Sequence, residues 1–89
     1  MEHLKETQIR RFNEQIKEIL GEECKIKPIV DDTGTLHSAK VNTEETLDTG
    51  KINALMGTAD AWNCEIELDR SGAGIRIQFE NNVNAIMAN

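Results

Sequence analysis

Two Asp-Thr-Gly triplets, Asp32-Thr33-Gly34 and Asp48-Thr49-Gly50, carry the residue types in this chain that come nearest to a catalytic pattern. Two carboxylates brought together share one proton, so that one activates a water while the other holds a carbonyl. That chemistry wants each triplet at the end of an apolar strand, and Ile29-Val30-Asp31 and Thr46-Leu47 meet the requirement only in part. The two histidines, His3 and His37, stand at no spacing that nominates a nucleophile and its base. Cys24 and Cys64 lack a CxxC pattern and a neighbouring His, so they read as free interior thiols, not as zinc ligands or a disulfide framework. Ser71-Gly72-Ala73-Gly74 falls in a hairpin loop and lacks the helix N-terminus that lets a glycine-rich loop cradle phosphate. The expectation is no catalytic residue, no metal and no cofactor.

The triplets are similar to the active-site motif of retroviral-type aspartic proteases, in which a chain of about this length supplies half of a dimeric site. The resemblance implies an all-β design with Asp32 or Asp48 as the catalytic acid, and a dimeric aspartic protease is carried as a remote alternative. Asp31-Asp32-Thr33-Gly34-Thr35 is also similar to the Asp-Lys-Thr-Gly-Thr phosphorylation motif of cation-pumping ATPases, with Asp32 at the Lys position. That similarity covers five residues at a turn, where Asp, Thr and Gly are expected on conformational grounds.

The elements that must position these residues are legible in the hydrophobic pattern. Ile9, Phe12, Ile16, Ile19 and Leu20 recur at three- and four-residue steps, which predicts an amphipathic helix from His3 to Leu20 stopped by Gly21. Cys24 to Val30 alternates, and Asp31-Asp32-Thr33-Gly34 supplies turn chemistry for a first hairpin. Pairing Val30 with Thr35 sets Ile26 against Ala39 and Lys25 against Lys40, and Pro28 places its strand at a sheet edge or a bulge. A second helix starts either at the capping-box sequence Asn42-Thr43-Glu44-Glu45 or later, near Thr49, burying Leu47, Ile52, Leu55, Met56 and Ala59 and ending near Gly57 and Asp60. A second hairpin follows, in which Trp62, Cys64, Ile66 and Leu68 face Ile75, Ile77 and Phe79 with Leu68 opposite Ile75. The fold class is α+β, helix-hairpin-helix-hairpin (αββαββ), with two helices packed on one face of a four-stranded antiparallel sheet. Residues 1–89 form one such domain, of which 81–89 is a frayed or docking tail.

A chain of 89 residues builds a single core and buries only about 60–65 % of its unfolded surface. Sixteen acidic against ten basic residues leave a net charge of −6, which repels a phosphate backbone unless the positive groups cluster. Phe12, Trp62 and Phe79 are the only aromatic residues, too few to spare for stacking on bases. No basic and apolar leader opens the sequence and no apolar run approaches a bilayer's thickness, so a cytoplasmic chain without membrane attachment is expected.

Function is therefore sought on the sheet's uncovered face. There Lys25, Lys27 and Lys40 make a basic half and Glu65, Glu67 and Glu80, with Arg76, an acidic half, while Ile29 and Leu36 form an outward apolar pair at the tip of hairpin one. Glu65, Glu67 and Asp69 make an acid-rich patch along hairpin two. Glu44, Glu45 and Asp48 add an acidic patch along helix two. The leading expectation is a small acidic, non-enzymatic interaction module, an inhibitor or adaptor whose partner is a protein with a basic surface. In composition it is similar to immunity proteins, antitoxins and phage inhibitors of host defence. The alternative is a nucleic-acid-binding domain using Lys25, Lys27 and Lys40 with Arg10 and Arg11. Exposed sheet edges also allow a homodimer by strand pairing.

Overall fold

A computed structural model describes residues 4–82 of the protein as α1 (Leu4–Leu20), β1 (Lys25–Val30), β2 (Leu36–Thr43), α2 (Thr49–Ala61), β3 (Cys64–Ser71) and β4 (Gly74–Asn81). This is the αββαββ order of an α+β fold. The sheet runs β1-β2-β4-β3 with every neighbouring pair antiparallel, so β1 and β3 are its edges. Pro28 thus sits on an edge strand, where a residue without a backbone N–H is tolerated. Val83, Ile86 and Met87, the apolar residues of the expected docking tail, lie outside the described residues.

Helix α1 buries Phe12, Ile16 and Leu20, one every four residues, while Ile9 and Ile19 pack at the margin. It ends as the Gly21 N–H bonds the Lys17 carbonyl at 2.7 Å. The Phe12 ring meets Phe79 of β4 edge-on at 5.2 Å and Trp62, at the end of α2, at 5.5 Å. The Trp62 indole N–H donates to Gln15 Oε1 at 2.7 Å. This cluster holds both helices against the same sheet face, α1 over β1 and α2 over β3.

Helix α2 takes the later of its two candidate starts. Residues 42 and 43 are held in the β2–β4 ladder opposite Arg76 and Ile75, so they are not free to turn into a helix. The Thr43 hydroxyl instead accepts the Glu45 N–H at 3.0 Å, and Asp48 caps the helix by accepting the Lys51 N–H at 2.8 Å. At the other end the helix runs through Gly57 to Ala61, one residue past Asp60. Trp62 is the C-cap rather than a strand residue: its N–H reaches the Thr58 and Ala59 carbonyls, and Asn63 takes the left-handed conformation at φ 58°. Met56, expected in the buried stripe, is half exposed.

Both hairpins differ from the expected register, for a reason that lies in their turns. In the second, Gly72 occupies the first central position with φ 61° and Ala73 follows with negative φ, a type II′ turn closed by Ser71 and Gly74. Leu68 therefore faces Ile77 and Asp69 faces Arg76. The slip is two residues, so the faces survive. In the first hairpin the Asp31 N–H bonds Thr35 O at 3.1 Å and the Gly34 N–H bonds Asp31 O at 3.0 Å, which pairs Val30 with Leu36. That one-residue slip turns Leu36 inward. An extra residue, His37, then bulges out of β2 and the ladder resumes with Ile29 opposite Ser38. The expected outward pair of Ile29 and Leu36 is thereby corrected: Leu36 is 1 % exposed and belongs to the core, while Ile29, 61 % exposed, faces Ser38. The buried Asn81 amide donates to the Leu36 carbonyl at 2.8 Å, supplying a partner beside the bulge where the ladder is interrupted.

Candidate functional site

Three rungs of side chains cross the sheet face that the helices leave uncovered. Reading from β1 to β3, they are Lys25-Asn42-Arg76-Asp69, Lys27-Lys40-Gln78-Glu67 and Ile29-Ser38-Glu80-Glu65. Four positive and four negative side chains thus share one face, the positive ones toward β1 and the negative ones toward β3. The ladder places Lys25, Lys27 and Lys40 together, with Lys27 directly opposite Lys40. It likewise gathers Glu65, Glu67 and Asp69 along β3.

Geometry separates these acids into two kinds. Asp69 is paired with the Arg76 guanidinium at 3.0 Å. Glu65 instead faces Glu80 directly across the β3–β4 ladder, and a like pair in that position repels. Glu65, Glu67 and Glu80 border a shallow depression of 440 Å³ with Ile66 and Gln78, and among the described residues none of the three carboxylates has a salt-bridge partner. Lys40 lies two strands from Glu67, about 10 Å at the usual strand spacing, which is at the screening length of physiological salt. The acidic half is therefore not neutralised by the basic half.

The remaining expected site residues are dispersed. Glu44 and Glu45 lie in the β2–α2 connection, not on α2, and border a 510 Å³ groove with Glu23, Cys24 and Lys25. Glu45 is 3.5 Å from Lys51, and Asp48 is engaged as the helix cap. Arg10 and Arg11 stand on α1, which covers the opposite sheet face from Lys25, Lys27 and Lys40, so one basic surface does not contain all five.

A carboxylate–imidazole pair emerges that spacing in the sequence did not nominate. His37 Nε2 lies 2.7 Å from Asp31 Oδ2, the bulge placing the ring beside the start of the turn. Asp31 Oδ1 accepts from the Thr33 N–H at 2.9 Å, the Thr33 hydroxyl at 2.6 Å and the Thr35 N–H at 3.0 Å. These bonds, the Thr33 hydroxyl first, then the Thr35 amide and His37, hold the Asp31 carboxyl well below the usual carboxylate range. The visible signal was an Asp and a His flanking one turn, and only the bulge makes them neighbours. The Thr33 hydroxyl bonds Asp31 and lies 3.1 Å from the Thr35 hydroxyl, so the arrangement ties a turn together.

The two triplets do not converge within the chain. Asp32 is in the hairpin-one turn and Asp48 caps α2, with the eight residues of β2 between them, about 26 Å of extended chain. Cys24 and Cys64 are buried free thiols; burial, reinforced by the Glu80 charge, pushes Cys64 up to about 11, and burial also raises Cys24. Among the described residues no three His, Cys, Asp or Glu side chains converge to hold a metal ion. No helix there is long and apolar enough to cross a membrane. No family model, no curated protein and no solved structure matches the chain.

Proposed function

We propose that the protein is a non-enzymatic interaction module that binds a protein with a basic surface, as an inhibitor or adaptor, through the acidic half of its open sheet face. The observation that carries the reading is the Glu65–Glu80 pair with Glu67 beside it: like charges are held opposite one another, with no salt-bridge partner among the described residues. A fold gains nothing from this arrangement, whereas an arriving Lys or Arg relieves the repulsion and is steered by it. The net charge of −6 works in the same direction.

Affinity capture with the wild-type chain and with the double variant Glu65→Lys/Glu67→Lys tests this. The expected result is a basic protein retained by the wild type and held at least about tenfold more weakly by the variant. Partners held equally by both chains, or partners that are nucleic acids, sink the reading. The alternative, nucleic-acid binding, has one observation in its favour, the Lys27–Lys40 pair with Lys25 beside it. It requires binding at low salt that falls steeply as salt rises and is lost on changing these lysines to Glu.

A further inference from the structure

The two edges of the sheet are built differently. Edge β1 has six residues, carries Pro28 with its missing N–H, and is joined to β2 through an irregular register. Those are the devices by which natural sheets discourage strand addition. Edge β3 has eight residues, contains neither Pro nor Gly, and pairs with β4 without a bulge. Among the described residues it is paired on one side alone.

The turn fixes which backbone groups that edge presents. Ser71 and Gly74 close a two-residue turn and so form a hydrogen-bonded pair, after which bonded and non-bonded pairs alternate along the ladder. Ile66, Leu68 and Arg70 fall in the non-bonded pairs. Their N–H and C=O groups therefore point away from β4, where among the described residues no strand takes them up. The side chains beside this backbone differ by face: Glu65, Glu67 and Asp69 on the open side, Ile66 and Leu68 on the helix side. Leu68 is 43 % exposed, and Met56, on the helix that covers β3, is 50 % exposed.

From this we infer that β3 is a docking edge for an extended segment of the partner, added as a fifth strand, in which basic residues alternate with apolar ones. The alternation follows from the pleat: residues on one side of the incoming strand meet the β3 carboxylates, and residues on the other meet Leu68 and the flank of α2. The occupant is not a second β3, because that pairing sets carboxylates against carboxylates. Nor is it the β1 edge of a second copy, where Pro28 withholds a donor and two chains of charge −6 repel. The inference rests on the acidic-module reading above and adds the mode of binding and the pattern of the segment recognised.

Three synthetic eight-residue peptides test it against the full chain at low salt: alternating Lys and Val, alternating Lys and Gly, and alternating Glu and Val. Backbone amide exchange is followed at Ile66, Leu68 and Arg70. The Lys-Val peptide is expected to slow exchange at these three amides, and the Glu-Val peptide is expected not to bind. Leu68→Pro, which places on β3 the block that Pro28 places on β1, is expected to keep the melting transition and weaken the Lys-Val peptide at least about tenfold. Should that variant fail to fold, the exchange measurement on the unaltered chain decides alone. Equal binding of both Lys peptides with no protected β3 amide overturns strand addition and leaves the acidic module standing. Failure of both to bind overturns the two together. Protection of the same amides in the peptide-free chain, with a mass that rises with concentration, assigns the edge to a second copy and overturns the inference.

Discussion

Asp31 shows how far one side chain can be committed to a turn. It receives three hydrogen bonds on one oxygen and the His37 ring on the other, and every one of them favours the ionised carboxylate. The folded protein therefore gives up this charge less readily than the unfolded chain, whose carboxyl titrates near 3.8. The stabilisation is present above that pH and is lost as pH falls below it. Melting temperature measured from pH 6 down to 2 should drop below about pH 4. Asp31→Asn should lower the plateau and flatten that drop. An unchanged acid limb in the variant shows that the turn's hydrogen bonds do not set the acid sensitivity.

At the scale of the elements, two glycines carry opposite consequences. A Cβ on Gly74 would run into the Thr43 carbonyl oxygen, where β4 crosses the end of β2, so Gly74→Ala forces backbone to move. Its expected cost is about 1–3 kcal/mol. Gly57 lies inside α2, and a methyl group added there would have nothing within 4 Å, so Gly57→Ala meets no obstacle. It should stabilise the protein by about 0.5–1 kcal/mol through the greater helix propensity of Ala. Urea titration of the two variants should move the midpoint in opposite directions, and a destabilised Gly57→Ala contradicts the exposed position of that residue. The same scale explains the working asymmetry of the sheet, since a bulge and a proline blunt β1 while a tight turn leaves β3 regular.

For the molecule as a whole, one ring joins the layers. Phe12 is fully buried and touches both Phe79 of the sheet and Trp62 at the end of α2. Phe12→Ala should cost about 3–5 kcal/mol, against a total of roughly 0.05–0.15 kcal/mol per residue for a domain of ordinary stability. Circular dichroism at room temperature should show a largely unfolded variant or one with a much lower urea midpoint, and a variant as stable as the wild type contradicts the packing. The amino-acid sequence alone determined the number, order and kind of elements, because period-four and period-two apolar patterns depend only on neighbours in the chain. It also determined which lysines and glutamates share the open face, since a two-residue slip in register leaves every side chain on its own side. Tertiary structure decided what depends on a turn's conformation or on strand neighbours. The tight first turn and the His37 bulge sent Leu36 inward and brought His37 to Asp31. The β2–β4 ladder held Thr43 extended and so moved the start of α2 to Thr49, capped by Asp48. The order β1-β2-β4-β3 put basic and acidic strands on opposite edges. No local pattern encodes that order, because it is settled by how the two helices divide one sheet face between them, and it is what leaves β3 as the acidic, regular and unblocked edge.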